Sequence, residues 1–517
     1  MTNQLTLADG VRVFAEASPE KVCATDDSRD MTYAELGRRS ARVANALLEI
    51  VPEGCTRVGV MLTNRLECLE LITGLAKSGL TLVPLSPRLT EPEIRYIVEH
   101  SGCGLIITQL SLRDLARSVL DVPTLNRVLV MDSDDEDSYE RLLAGAPTTD
   151  PDLAVSEQEP CVILYTSGTT GRPKGVVISH RARALLANCV ALEYGLGPQG
   201  RTICTVPLYH GAGYTFGYSA VQTGGFVAIM PKFGAEELLR QIQDHGVTTL
   251  FLVPTQLHSL QQLPAETLVS YDLSALRTIY LGAAPLSPEL KAWGERTWPH
   301  VGFHEHYGST ELGIATNLRP ELSRDHPGSV GPVWMMNELR ILDADRSPLP
   351  VGTPGEIYAR SPFLMSGYLD DPESTAACTT DDGFVTAGDI GRLDEKGLLF
   401  LVGRSKDMIV SGGLNVYSRE VEAVLDLHPD VVESGVLSAP SDHWGEMVVA
   451  VVVPVEGRTP TPAALEEHCR TALAGYKVPR HFVFATEMPK TPTGKIIKSQ
   501  LRGVYETAAE KSTAEAP

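Results

Sequence analysis

The sequence predicts an α/β fold built on a parallel sheet, followed by a layer of short strands and then by a separate compact unit. Three observations predict it. Helical and strand patterns alternate from Thr32 to Gly282. From about Pro332 the texture changes to short strands broken by Gly and Pro turns. A boundary near Gly403–Asp407 is followed by about 110 residues, the usual size of one domain. A chain of 517 residues also exceeds what one hydrophobic core usually organises.

The elements follow in order. Thr32-Tyr-Ala-Glu35 reads as a capping box that opens a helix, with Leu36, Val43 and Leu47 on one face. Arg57–Leu62 reads as a buried strand, and a helix from Asn64 ends near Gly79. Leu80–Leu85 is the next strand, Glu91–Glu99 a helix and Leu105–Thr108 a strand. Pro160–Leu164 is a short apolar run expected to be a buried strand. Beyond it come a helix near Ala182–Leu192, strands near Thr202–Val206 and Phe226–Met230, and a helix Glu236–His245. Strands Thr249–Val253 and Thr278–Gly282 follow. The short-strand layer holds Glu338–Leu342, Gly355–Ala359 and Gly397–Val402, and suits a small β-barrel near 332–402. The last unit holds a helix around Arg419–His428, an apolar strand Met447–Val453 and a helix Pro462–Ala474. On that helix Leu465, Cys469 and Leu473 repeat every four residues. Residues 506–517, rich in Ala, Glu, Ser and Thr, read as a frayed tail.

Composition narrows the classes. The chain is 43% hydrophobic and 21% charged, ordinary for a globular protein. A net charge of −21 argues against nucleic-acid or anionic-membrane binding. Nine scattered cysteines without a Cys-x-x-Cys pair are neither a disulfide framework nor a zinc site, and fit a cytoplasmic location. The N-terminus lacks a basic and an apolar region, so no secretion signal is expected. The longest apolar run, Met447–Val453, is too short for stable membrane insertion.

The most informative run is Tyr165-Thr-Ser-Gly-Thr-Thr-Gly-Arg-Pro-Lys-Gly175. Gly168, Gly171 and Gly175 let main-chain N–H groups approach an anion. Thr166, Ser167, Thr169 and Thr170 add hydroxyl donors, and Lys174 adds a positive charge. A strand that ends in such a loop is a phosphate cradle. It is not a Walker loop, because Lys174 follows Pro173 and precedes Gly175 rather than a metal-binding hydroxyl. Downstream stand Tyr307-Gly-Ser-Thr-Glu311, Thr386-Ala-Gly-Asp-Ile390 (a carboxylate beside a glycine in a turn) and Gly403-Arg-Ser-Lys-Asp407. Ser411-Gly-Gly-Leu-Asn415 and Thr491-Pro-Thr-Gly-Lys495 complete the series.

In this order the segments resemble the superfamily of acyl-CoA synthetases, peptide-synthetase adenylation domains and firefly luciferase, and acid–CoA ligases most closely. The resemblance covers residues 30–502. It implies a large domain, 1–403, of two α/β sheet subdomains plus a β-barrel, a hinge at 404–407 and a small mobile α+β domain at 408–505. The implied reaction joins a carboxylic acid to ATP, giving an acyl-adenylate and pyrophosphate, and a thiol then captures the acyl group. The implied cofactors are ATP, Mg²⁺ and coenzyme A, and a carrier protein is the alternative acceptor. A homodimer is compatible with the family.

Roles follow from the same resemblance and make chemical sense. Attack of a carboxylate on phosphorus brings two anions together, so positioning and charge neutralisation supply most of the catalysis. Lys174 with Thr166, Ser167, Gly168, Thr169 and Thr170 would hold the leaving phosphates. Glu311 would bind Mg²⁺, which takes carboxylate and phosphate oxygens. Tyr307 would stack on adenine, with Gly282, Ala283, Ala284, Gly308 and Thr310 around it. Asp389 would accept from the ribose hydroxyls, with Arg404 as a nearby donor. Lys495 would neutralise charge at the reacting end, Lys406 would be the hinge pivot, and Ser411, Gly412 and Gly413 would line the CoA tunnel. His210, Gly211, Tyr214, Gly282 and Gly308 would form the acyl pocket, with His210 gating its carboxylate side.

The acid is read from what surrounds it. None of residues 207–220 is acidic, which disfavours an amino-acid substrate. The small residues of Gly211–Gly213 and Gly282–Ala284 favour a bulky aromatic, alicyclic or longer-chain acid, although such glycines equally serve close backbone packing.

Overall fold

The computed structural model describes residues 4–26, 28–166, 172–284, 286–411, 414–441, 445–491 and 495–514. Two compact units emerge. The larger holds Met1–His326, Val333–Glu338 and Ala359–Val385, and the smaller holds Pro327–Pro332, Leu339–Tyr358 and Thr386–Pro517. The expected division at residue 403 therefore does not coincide with the compact units.

The larger unit is organised by a seven-stranded sheet. Its spatial order is Gly367–Tyr368, Lys174–Ser179, Pro160–Thr166, Thr81–Pro84, Arg57–Met61, Leu105–Gln109, Arg127–Met131. The last five pair in parallel, as the alternating pattern requires. The strands beginning at Pro160 and Lys174 form an antiparallel hairpin in which Thr166 faces Lys174, and Gly367–Tyr368 closes the edge. Helix boundaries follow local chemistry. Thr32 caps the helix Tyr33–Ile50 by accepting from the Glu35 amide at 3.2 Å. The Glu35 carboxylate pairs with Arg29 at 3.1 Å. Helix Glu67–Ser78 ends at Gly79 with φ 70°, a left-handed cap.

The second expected sheet is split in two. Strands Asp30–Thr32, Val22–Thr25, Phe226–Ile229 and Arg201–Cys204 make one sheet. Strands Thr249–Leu252, Thr278–Leu281, Gly302–Ser309 and Gly313–Leu318 make the other. The two are joined where the Thr248 amide donates to Arg201 O at 2.9 Å. The hairpin Gly302–Ser309/Gly313–Leu318 turns through Gly313 at φ 69°, with a register shift between Tyr307 and Gly308. Helices His180–Tyr194 and Gly211–Gln222 bury one aromatic core containing Tyr194, Phe216, Phe251 and Tyr280.

Three expectations are corrected. The barrel near 332–402 is an open four-stranded sheet of Glu338–Leu342, Gly355–Arg360, Val385–Leu393 and Leu399–Arg404; four strands are too few to close around a core. Thr386–Ile390 lies inside strand Val385–Leu393 rather than in a turn: Asp389 and Ile390 pair with Arg404 and Gly403, and Gly388 adopts φ 77° within the strand. Residues 506–514 are not a frayed tail, because a helix runs over Lys498–Ala514. Leu501 and Tyr505 on that helix are buried against Leu437, Val449, Val451 and Val453, which holds it to the sheet.

The C-terminal sheet orders Leu414–Tyr417, Met408–Ser411, Gly445–Pro454 and Val431–Ser441, with His481–Phe484 parallel to Gly445–Pro454. The apolar strand has no polar face because both faces are covered. Val448, Ala450 and Val452 pack with the helices Ser418–Leu425 and Pro462–Ala472, while Val449, Val451 and Val453 pack under Leu501. No helix of the described residues is long and apolar enough to cross a membrane.

Candidate active site

Thr166 and Lys174 are register partners in the hairpin; Ser167, Gly168, Thr169 and Thr170, with Gly171, lie outside the described residues. Lys174 Nζ donates to Ser374 Oγ at 2.5 Å and lies 3.6 Å from Asp371 Oδ2. The same ammonium stands 5.0 Å from the ring centroid of Tyr368. The Tyr368 hydroxyl donates to Glu311 Oε1 at 3.3 Å. Burial and the Glu311 charge push the Tyr368 pKa up, so the hydroxyl keeps its proton. Asp371 also caps the short helix Pro372–Ala377, accepting from the Ser374 amide at 2.9 Å. Bonds from Ser374 and the Lys174 charge hold its carboxyl below the usual range.

Glu311 is buried just past the Gly302–Ser309 strand, and the Met365 amide donates to its carbonyl at 2.8 Å. Tyr307 is buried and opposite Thr316. Only glycine fits at 308, because a Cβ there would stand 2.0 Å from Gly313 O. The pocket glycines divide in the same way. A Cβ on Gly213 would meet Pro207 O at 2.0 Å, and one on Gly282 would meet His306 Nε2 at 2.4 Å. Gly211 alone of these has ordinary room, since a Cβ there would stand 3.4 Å from Leu164 Cδ1 and 3.8 Å from Thr310 Oγ1. Gly211 thus lies near Thr310 of the Tyr307–Glu311 segment.

His210 begins the helix Gly211–Gln222, its carbonyl accepting from the Tyr214 amide at 2.8 Å. Tyr214 is fully buried under the Arg183 guanidinium, which lies 5.2 Å from its ring centroid. Ala283 adopts φ 66°, a strained conformation for a residue with a side chain, at the end of strand Thr278–Leu281. Ala284, next in the chain, is half-buried. His306 packs within 5.3 Å of Phe216 and 5.9 Å of Phe251 between ring centroids. Burial drives its imidazole pKa down to about 3, so it is neutral.

In the smaller unit Asp389 and Arg404 are register partners, and Arg404 Nε lies 2.8 Å from Asp389 Oδ1. Lys406 lies in the 3₁₀ turn Ser405–Asp407, and Ser411 is buried at the end of strand Met408–Ser411. Gly412 and Gly413 lie outside the described residues. The Lys495 amide donates to Thr491 Oγ1 at 3.1 Å. Three residues on, Lys498 Nζ pairs with Glu422 and donates to Val436 O at 2.5 Å, tying the Lys495 segment to the sheet.

The family model "AMP-binding enzyme" matches residues 11–369, and "AMP-binding enzyme C-terminal domain" matches 420–495. This chain belongs to the AMP-binding enzyme family. A feruloyl-CoA synthase of Amycolatopsis sp is 33% identical over 496 residues, covering 94% of this chain and 96% of the relative. A fatty acid–[acyl-carrier-protein] ligase of Streptomyces coeruleorubidus is 31% identical over 508 residues, covering 96% of each. The solved structure of ATP-bound MatB from Rhodopseudomonas palustris aligns with TM-score 0.87 at 29% identity, covering 97% of this chain and 99% of that one. As a member of this family, the protein is an adenylate-forming acid–thiol ligase.

Sequence reasoning missed Tyr368, Asp371 and Ser374. Asp371-Pro372 is a legible helix start, but nothing in it announces a contact with a lysine 200 residues earlier.

Proposed function

We propose that this protein is an ATP-dependent carboxylic acid–CoA ligase. The acid's carboxylate attacks the α-phosphorus of ATP to give acyl-AMP and pyrophosphate, and the CoA thiol then displaces AMP to give the thioester. One observation carries the reading: within a single compact unit Lys174 and Glu311 are linked through Tyr368, at the root of a donor-rich loop. A cation for phosphates and a carboxylate for a hard metal are thus set side by side.

Lys174 and the hydroxyls of Thr166, Ser167, Thr169 and Thr170 hold the pyrophosphate leaving group. A single buried carboxylate, Glu311, suits Mg²⁺, which keeps several waters and takes phosphate oxygens for the rest. When bound, the ion neutralises charge on the phosphates. Tyr307 stacks on adenine beside Gly282–Ala284, Gly308 and Thr310. The strained Ala283 suits a backbone held close to a ligand. Asp389, oriented by Arg404, accepts from the ribose hydroxyls, and Lys495 stabilises charge on the reacting oxygens. His210 and Gly211 border the acid, which carries no α-ammonium group because residues 207–220 offer no carboxylate to pair with one.

The test is a panel of aryl, alicyclic and fatty acids with pyrophosphate detection, followed by CoA and a phosphopantetheinylated carrier as acceptors. Acid-dependent pyrophosphate release with thioester on CoA supports the proposal. Release without any CoA thioester, but with acyl-carrier formation, favours the second reading, a carrier-loading ligase like the Streptomyces relative. No release with any acid removes both.

A further inference from the structure

Tyr368 touches both groups assigned to the triphosphate, and its own position leaves it little freedom. Its strand, Gly367–Tyr368, pairs with Val176 and Val177, two and three residues beyond Lys174. The Leu369 amide donates to Gly175 O at 2.8 Å, and the Ser366 amide to Val177 O at 2.8 Å. The Tyr368 amide donates to Thr375 Oγ1 at 2.9 Å, and that hydroxyl donates to Asp371 O at 2.9 Å. The backbone that carries the ring is therefore registered to the strand that carries Lys174.

The side chain then divides its two ends. The negative face of the ring lies 5.0 Å from the Lys174 ammonium, within cation–π range. The hydroxyl holds Glu311 Oε1 at 3.3 Å. Ser374 and Asp371 also hold the same ammonium, at 2.5 and 3.6 Å. Lysine is long and has many rotamers, so an unrestrained Nζ would lose entropy on gripping a phosphate. A carboxylate free to rotate would likewise offer a metal a variable oxygen. Preorganisation of this kind improves affinity by removing those costs before the ligand arrives.

We propose that Tyr368 is a positioning residue of the ATP site, its ring setting the Lys174 ammonium and its hydroxyl setting the Glu311 carboxylate at a fixed mutual spacing. This rests on the roles proposed above for Lys174 and Glu311. Tyr368 touches neither the acid nor the reacting atoms in this account. It acts through its two neighbours, and its two ends are separable by mutation.

The experiment is calorimetric titration of the full-length protein with ATP alone, without any acid, in EDTA and again in excess Mg²⁺. Tyr368→Phe keeps the ring and removes the hydroxyl. Its ATP affinity in EDTA is expected to stay within about twofold of the parent, while the strengthening by Mg²⁺ shrinks about tenfold. Tyr368→Leu removes both contacts and is expected to weaken binding in both conditions. Wild-type behaviour of Tyr368→Phe in Mg²⁺ overturns the proposal. So does an equal loss in EDTA and Mg²⁺ accompanied by a lower melting temperature, the signature of a merely structural tyrosine. If Tyr368→Leu does not fold, Tyr368→Phe decides alone. Lys174→Met and Glu311→Gln separate this from the underlying reading. If neither changes ATP binding or its Mg²⁺ dependence, the assigned roles fail; if both do and Tyr368→Phe does not, only the positioning role fails.

Discussion

Replacing Gly282 by alanine measures how tightly the candidate site is packed. The new Cβ would lie 2.4 Å from His306 Nε2, 2.6 Å from Cε1 and 2.9 Å from Cδ2. Ordinary carbon contacts begin near 3.5 Å, so the ring must retreat by about 1 Å. It has nowhere to go: Phe216, Phe251, Tyr194 and Tyr280 surround it at 5.3–6.5 Å between centroids. The strands carrying the two residues cannot part either, because Leu281 is registered to Glu305 in a parallel ladder. Overpacking of this kind costs about 1–3 kcal/mol. The apparent melting midpoint should fall by roughly 1–4 °C, measured by scanning fluorimetry. His306→Ala supplies the missing space, so the double variant should be more stable than the sum of the single effects by about 1–3 kcal/mol. An unchanged midpoint for Gly282→Ala, or strict additivity in the double variant, would refute the packing argument.

Three further outcomes are expected. Lys406→Pro should leave pyrophosphate release measurable while abolishing thioester formation, since it stiffens the pivot in Ser405–Asp407; equal loss of both half-reactions counts against a hinge. Arg404→Met frees the Asp389 carboxylate from its 2.8 Å partner, and the KM for ATP should rise about tenfold if hydrogen bonds to a charged acceptor hold the ribose; an unchanged KM removes that role. Asp426 is raised to about 7 by burial and by the charges of Glu422 and Glu433, against the bond from Ser434. Its stabilisation is full below about pH 4 and is lost as pH rises through 7. Asp426→Asn should therefore flatten the dependence of unfolding midpoint on pH between about 4 and 7, and a parallel profile would contradict this.

Much of the order of elements was legible because it is local. The Thr32 cap, the left-handed Gly79 and the four-residue repeat of Leu465 and Cys469 depend on neighbours in the chain, and the structure places helices at all three, the last ending at Ala472 so that Leu473 is its extended cap. The glycine- and hydroxyl-rich run at 165–175 also stands out in the sequence, because cradling a phosphate would need such residues close together. What failed was closure and termination. Strand texture over 332–402 marked three short strands but not Val385–Leu393, and it cannot say whether the outermost two meet. The helix Lys498–Ala514 is weakly patterned in sequence, and it is held because Leu501 fits over Gly435, whose missing Cβ leaves the space.

By itself the sequence determined most element types and the family, since each is written in residues a few positions apart. Only the tertiary structure decided which groups share a site. It set Tyr368 between Lys174 and Glu311, seated Tyr214 under Arg183 in the core, and showed that Gly213, Gly282 and Gly308 make way for packed atoms rather than open space. The reason is physical: contacts between distant residues depend on strand register and packing, and no local pattern in the chain encodes either.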